Sequence, residues 1–295
     1  MSPLTIVCWK WKPHPGGWLK KQSPFSAQHV NVLFAMVKRH LHIPFRFVCI
    51  TDEPDGIDQD VIIHPIWDLH KRIGACYRRL KAFDSYENIG HIFGERYVSI
   101  DLDCVIMDNI TPLFDRPEEF IIWGSNERRT PYCGAMWLLK TGERYRVWER
   151  FHPVKSISDA KSNGFRTGSD QAHICNCLYP NEAMWDDRDG IHNFKLEIRT
   201  PDPKFFAKLY RHRKMKLPAY AAAVKDFRRR VDELHKHPRH PAAHRPVGDH
   251  HSILLNQPTG YPPAGAKIVF FNGRWDPSDS DVQVGYPWIK EHYHE

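Results

Sequence analysis

No apolar run in the sequence approaches the ~20 residues that a membrane-spanning helix requires; the longest, such as Ile43–Ile50, are short and interrupted by polar residues. The opening Met1-Ser-Pro-Leu-Thr-Ile-Val-Cys-Trp-Lys10 lacks a basic start followed by a long apolar stretch. No secretory signal and no membrane span are therefore expected, and the expected compartment is the cytoplasm. The seven cysteines (Cys8, Cys49, Cys76, Cys104, Cys133, Cys175 and Cys177) contain no CxxC pair, and Cys175/Cys177 lacks further His or Cys residues at the spacing of a zinc site. Reduced thiols are expected rather than a disulfide framework or a zinc knot. Internal repeats and low-complexity tracts are also missing.

What is present is an ordinary globular composition, 41 % hydrophobic and 26 % charged over 295 residues, enough for one large α/β domain or two small ones. The net charge of +7 is unevenly spread. Residues 203–247 hold 13 Lys/Arg against 3 Asp/Glu, while the other 250 residues hold 29 against 32. The body is slightly acidic and one segment carries all the basicity. Such a segment favours a polyanionic partner: nucleic acid, an anionic glycan or a membrane surface.

Hydrophobic periodicity predicts strands at Thr5–Trp9, Phe45–Thr51, Val61–Ile66, Arg96–Ile100, Phe120–Trp123, Ala135–Leu139 and Ile268–Phe271. Helices are expected at Ala27–His40, with Ser26 as N-cap, and at Tyr77–Phe83, Arg144–Phe151 and Asp170–Leu178. Residues 12–24 read as loop. Strands alternate with helices, and the early strands are nearly continuous apolar runs. That pattern indicates an α/β fold with a mostly parallel sheet covered on both faces. Ligand sites in such sheets lie at the carboxyl ends of the strands.

The sharpest local feature sits at such an end. The strand Tyr97-Val-Ser-Ile100 delivers Asp101 and Asp103, one residue apart. Two hard oxygen donors so spaced suit Mg²⁺ or Mn²⁺ on a diphosphate; the plain structural alternative is a solvated turn. The block Asp101-Leu-Asp-Cys-Val-Ile-Met-Asp-Asn-Ile-Thr-Pro-Leu-Phe114 resembles the metal-binding segment of glycogenin-like glycosyltransferases, glycosyltransferase family 8 and its relatives. Other blocks follow in that family's order: Arg79-Leu80, Tyr132-Cys-Gly-Ala-Met136, Gly168-Ser-Asp-Gln171 and Lys267-Ile-Val-Phe-Phe-Asn-Gly273. Phe25–Leu41 and Phe45–Asp52 look like the opening of its phage and bacterial members.

The resemblance implies a GT-A fold: one Rossmann-like domain over residues 1–295, interrupted by the basic, partly helical insert at 203–247. It implies metal-dependent, retaining transfer of a sugar from a UDP-sugar. Asp101 and Asp103 would hold Mn²⁺ or Mg²⁺ on the diphosphate, and Asp101 with Leu102 would border the nucleotide. Arg79 would bind diphosphate or a sugar hydroxyl, the alternative being an exposed partner of Asp84 or Glu87. Asp170 and Gln171 would face the sugar and stabilise positive charge at its anomeric carbon, whereas an isolated reading makes Asp170 an acid at its own helix N-terminus. Asp52, Trp9 and Trp11 would line the base pocket, with core packing as the alternative for the tryptophans.

The sequence departs from the family at two positions. Relatives supply a third metal ligand as a His near the late strand, where Phe270-Phe271-Asn272-Gly273 has none; Asn272 is the candidate, with His250 or His251 as substitutes. Cys133 stands where relatives often carry an Asn on the donor sugar.

The insert has no counterpart in these blocks. Ala219–His237 can form a helix with Val224, Phe227, Val231 and Leu234 on one side and Lys225, Arg228, Arg229 and Arg230 largely elsewhere. Lys214, Lys216, Arg228, Arg229 and Arg230 are the candidate acceptor-binding residues. Several Lys/Arg contacts give affinity for phosphates without reading sequence, as an enzyme glycosylating a hydroxymethylated base in phage DNA would need. A solvated helical hairpin, an anionic glycan or a lipid-linked acceptor are the alternatives. A non-catalytic nucleic-acid-binding protein and a metal-dependent nucleotidyltransferase are the alternatives of other classes.

Overall fold

The computed structural model describes residues 2–11, 25–67, 73, 75–85, 89–124, 130–165, 169–199, 260–273 and 275–295. The basic insert, with every candidate acceptor residue in it, and His250 and His251 lie outside the described residues.

In chain order the elements are β1 (Leu4–Lys10), α1 (Ala27–His40), β2 (Phe45–Thr51), β3 (Ile62–Pro65), a 3₁₀ helix over Ala75–Phe83, α2 (Gly90–Phe93), β4 (Arg96–Ile100) and β5 (Cys104–Ile106). There follow α3 (Thr111–Phe114), β6 (Phe120–Gly124), β7 (Tyr132–Lys140), α4 (Arg146–Glu149), α5 (Lys155–Ser162), α6 (Asp170–Leu178), β8 (Ala183–Trp185), β9 (Ile191–Asn193) and a π-helical turn over Phe194–Ile198. β10 (Ile268–Phe270), α7 (Ser280–Gly285) and α8 (Trp288–His292) end the chain.

Seven strands form one sheet in the order β3-β2-β1-β4-β7-β6-β8. The strands β3, β2, β1 and β4 are parallel, β7 is antiparallel to both neighbours, and β6 and β8 are again parallel. The expected mostly parallel sheet is thus present, with β7 as its reversed member. A small second sheet joins β10 antiparallel to β5 and parallel to β9.

The period of two along each strand sends side chains to two separate cores. Ile6 and Cys8 of β1, with Phe47 and Cys49 of β2, join the apolar cluster that holds α1, β5, β10 and α8. Val7 and Trp9, with Val48 and Ile50, join the cluster on the opposite face with the 3₁₀ helix and α6. This is why the early strands read as unbroken apolar runs: both faces are covered. α1 docks through Val30, Leu33, Phe34, Met36 and Val37, at helical spacing. Truncating Leu33 to Ala there would cost about 2–5 kcal/mol.

Local differences from the expected elements have physical causes. The segment Ala75–Phe83 is 3₁₀ rather than α-helical. Its period of three aligns Cys76 with Arg79, and Tyr77 with Leu80 and Phe83. One row faces the polar site and another the core, a division the α period would blur. The strand expected at Ala135–Leu139 begins earlier, at Tyr132, which puts Cys133 and Gly134 inside the sheet. Only Arg146–Glu149 of the expected 144–151 helix is helical: Arg144, at φ 56°, stands outside the helical region and bonds Glu182. β3 is an edge strand and leaves Ile62 and Ile63 exposed. All seven cysteines are free thiols, as expected. Among the described residues no helix is long and apolar enough to cross a membrane.

Candidate active site

The site forms where β4 ends beside the reversed strand β7. Ile100 pairs with Met136, and the Asp101 amide donates to the Ala135 carbonyl at 2.8 Å. The antiparallel register therefore lays Tyr132–Ala135 alongside Asp101–Asp103. On the other side, Phe271 just past β10 donates its amide to the Asp103 carbonyl at 2.8 Å. Asp103 is thereby stitched to the loop that carries Asn272.

Arg79 is the centre of the arrangement. It is 4 % exposed, and its Nε and Nη2 both lie 2.8 Å from Asp170 Oδ2. Its Nη1 meets Asp101 Oδ1. The fixed guanidinium fork thus joins the DxD strand to the first turn of α6. The alternative of an exposed Arg79 on Asp84 is excluded, because Asp84 is taken by the buried Lys81 at 2.6 Å. Asp170 also accepts the Gln171 amide on Oδ1 at 2.9 Å, so it serves its own helix terminus and the arginine together.

Gly134 makes this packing possible. A Cβ on it would stand 3.0 Å from Arg79 Nη2 and 3.2 Å from Asp170 Oδ1, so any side chain would push into the ion pair. The Gly134 amide instead donates to Gln171 Oε1 at 3.3 Å, which ties Gln171 to the strand.

Burial pushes the Asp101 carboxyl up to about 6, with Asp170 adding and Arg79 opposing. Asp103 is pushed well above the usual carboxylate range by burial and then by the charges of Asp101 and Asp276. Asp170 is raised by burial against the pull of Arg79. Arg79 itself pays desolvation, yet Asp101 and Asp170 hold it more firmly protonated than usual. Burial also pushes the Cys76 thiol, beside Arg79, up to about 12.

Two carboxylates forced together and kept basic are what a divalent cation would relieve, and their hard oxygens suit Mg²⁺ or Mn²⁺. The donor chemistry of Asp101 and Asp103 therefore fits such an ion. Among the described residues no three His, Cys, Asp or Glu side chains already form a closed cluster. The third position holds an amide: Asn272 Nδ2 donates to Cys133 Sγ at 3.8 Å. The two positions at which the sequence departs from the glycogenin-like pattern are in contact with each other.

The other expected site residues are placed as follows. Leu102 turns into the core at 1 % exposure, so only its backbone borders the site. Trp9 is buried against Trp67 and Phe93, and its indole N–H donates to Ser99 Oγ at 3.1 Å. It packs as a core residue. Trp11 is half-buried, with the Arg78 guanidinium 5.6 Å over its ring. Burial lowers the Arg78 pKa, and the charge of Asp52 acts against that. Asp52, Trp11 and Arg78 thus share one corner beyond the ends of β1 and β2. Sequence reasoning missed Gly134 and Cys76; the first was legible only as part of the Tyr132–Met136 block, and nothing local marked the second.

No family model matches the sequence, and no curated protein matches it. Solved structures do. The galactosyltransferase LgtC, in complex with donor and acceptor sugar analogues, aligns with a TM-score of 0.54 at 12 % identity, over 98 % of this chain and 94 % of its own. An active-site mutant of LgtC aligns at 0.53 and 11 %. The glycosyltransferase GlyE of Streptococcus pneumoniae TIGR4 aligns at 0.52 and 10 %, over 97 % of this chain and 60 % of its own. The fold is the GT-A fold. The seven-stranded sheet flanked by helices is the architecture these glycosyltransferases share with the present chain, and the DxD strand lies at its centre.

Proposed function

We propose that the protein is a metal-dependent glycosyltransferase that moves a sugar from a UDP-sugar to an acceptor hydroxyl with retention of configuration. The observation that carries this reading is the buried Arg79 fork, which binds Asp101 at the end of β4 and Asp170 at the start of α6. It holds the metal-binding element and the sugar-facing element at fixed spacing, as pre-organised catalysis requires.

Asp101 and Asp103 would hold the Mn²⁺ or Mg²⁺. Bound there, the ion acts as a Lewis acid on the leaving diphosphate. Arg79 orients Asp101 and adds positive charge beside the leaving group. Gln171, pinned on Gly134, and Asp170 offer an amide and a carboxylate to sugar hydroxyls and to the positive charge that develops at the anomeric carbon. Trp11, Asp52 and Arg78 form the corner for the base. The acceptor reading rests on the sequence alone: the surplus of basic residues at 203–247 favours a polyanion, and DNA carrying a hydroxymethylated base is the acceptor we put forward.

The test is UDP release from a panel of UDP-sugars with Mn²⁺, headed by UDP-galactose because LgtC is a galactosyltransferase. Each is run with and without duplex DNA containing hydroxymethylcytosine. Release stimulated by the modified DNA supports both donor and acceptor. Release indifferent to DNA keeps the transferase and overturns the acceptor. No release with any sugar overturns the transferase reading and favours a binding protein.

A further inference from the structure

Two stretches of chain leave the small sheet side by side. β9 runs parallel to β10, with Asn193 opposite Phe270, so the π-helical turn after β9 lies next to the loop after β10. Their contact is aromatic at one end and cationic at the other. Phe194 stacks on Phe271 with ring centres 4.2 Å apart, and Tyr286 meets Phe194 edge-on at 4.8 Å. Phe271 is the residue whose amide donates to the Asp103 carbonyl. At the far end the Arg199 guanidinium lies 5.0 Å over the Trp275 ring. The loop Phe271–Trp275, with Asn272 inside it, is thus gripped twice by the segment Phe194–Arg199.

The grip fixes where Arg199 stands. Asn193 Oδ1 accepts the Leu196 amide at 3.1 Å, and the Arg199 amide closes the turn on the Phe194 carbonyl at 2.7 Å. Turns of this π type are uncommon and recur at functional sites. The side chain is half-buried, and its Nε–H is shielded from solvent with no acceptor among the described residues. The indole face stabilises the cation without using any of its N–H groups. The guanidinium therefore keeps its donors for something else. A shielded N–H without an acceptor destabilises the fold until a ligand meets it. The group that fits a guanidinium edge is an oxyanion, taken in a fork by Nε and a terminal nitrogen.

We propose that Arg199, seated on Trp275, binds a phosphate group of the acceptor. This rests on the polyanion reading above and gives it one fixed contact among the described residues. Two observations place the anion on the acceptor. Arg199 stands just ahead of the basic segment at 203–247, so its charge continues that segment's. The loop it grips carries Asn272 and is bonded to Asp103 through Phe271, which puts the bound phosphate on a wall of the site.

The first arm of the experiment uses the full chain and inorganic phosphate. The Arg199 Nε–H resonance, identified by its loss in Arg199→Lys, is followed by nitrogen-edited proton NMR. It is expected to move and saturate as phosphate is added, and to stay in place with chloride at equal ionic strength. A resonance that ignores phosphate, or follows chloride equally, overturns the site. The second arm measures affinity for duplex DNA by fluorescence anisotropy over a series of salt concentrations. Arg199→Gln is expected to lower the slope of log K against log salt by about 0.9, the share of one phosphate contact. Arg199→Lys serves should that variant fail to fold: it keeps the charge, lacks the fork and is expected to bind duplex more weakly than the wild type. Wild-type affinity in Arg199→Lys then overturns the contact. The two readings fail separately. Duplex binding with an unchanged slope in Arg199→Gln overturns Arg199 as a contact and leaves the DNA reading standing. A wild type that binds no duplex, while the resonance still follows phosphate, overturns DNA and leaves the phosphate site to another anionic acceptor.

Discussion

Cys133 and Asn272 touch, Sγ to Nδ2 at 3.8 Å, across 139 residues of chain. Each occupies a position at which the glycogenin-like pattern has another residue, and the fold makes them neighbours on the lip of the carboxylate pair. A thiol is a weak acceptor, and its burial keeps the Cys133 pKa high, so the contact serves to orient the amide rather than to supply a nucleophile. Residues in contact should not act independently. Cys133→Ala and Asn272→Ala, alone and together, are expected to show a coupling of about 0.5 kcal/mol or more in urea unfolding. Strict additivity would mean that the contact carries no energy.

Arg79, itself buried, neutralises the buried Asp170 and the half-buried Asp101. Removing it leaves Asp170, at 1 % exposure, with a buried charge that no cation balances and only the Gln171 amide to meet it. Arg79→Met is expected to cost about 3–5 kcal/mol, the usual loss when one partner of a buried pair is deleted. Arg79→Met combined with Asp170→Asn should recover part of that loss in the same denaturant series. A double variant no more stable than the single one would show that the destabilisation comes from packing against Trp137, 5.2 Å below the guanidinium, and not from charge.

Asp103 makes no side-chain bond to another described residue, and burial disfavours its charge. Asp103→Ala should therefore abolish UDP release from a UDP-sugar while the metal-free melting temperature stays level or rises. Transfer is read by coupled UDP detection and the fold by circular dichroism. Near-normal turnover in this variant would take the metal out of the mechanism.

His173 in α6 is buried at 2 % exposure; its Nε2 donates to the Val147 carbonyl at 2.8 Å, and its Nδ1 has no partner among the described residues. Burial lowers its pKa below the usual 6.5. A base with a depressed pKa in the folded state binds fewer protons there than in the unfolded chain. Its contribution to stability is present above about 6.5 and is lost as pH falls through the folded pKa. His173→Gln is expected to flatten the acid side of the stability profile below about pH 6.5 relative to wild type. Identical profiles would assign the acid loss to other groups, of which His40, His64 and His292 are shifted in the same sense.

Charge reversal at Arg228, Arg229 and Arg230 should weaken binding to duplex DNA and flatten its salt dependence while sparing hydrolysis of the UDP-sugar. Fluorescence anisotropy at several salt concentrations reads the first, and UDP release without acceptor reads the second. Unchanged DNA affinity would make the basic segment a solvated face.

Much of the frame was legible in the sequence because it is local. Ala27–His40, Phe45–Thr51, Arg96–Ile100 and Asp170–Leu178 form over the spans their periodicity marks, and the doubly apolar strands announce a sheet covered on both faces. Asp101 and Asp103 were legible for the same reason, since a strand end and a one-residue gap are properties of a few consecutive residues. What surrounds them was not. The partner of Arg79 lies 91 residues away, and only the reversal of β7 brings Gly134 into the ion pair. Trp9 can be read as a base platform or as a core side chain until the fold gives its N–H to Ser99. Periodicity records which face a residue turns to, whereas the identity of what it meets there depends on how distant segments register. The sequence determined the elements and the carboxylate pair; the tertiary structure decided which arginine, glycine and thiol surround that pair.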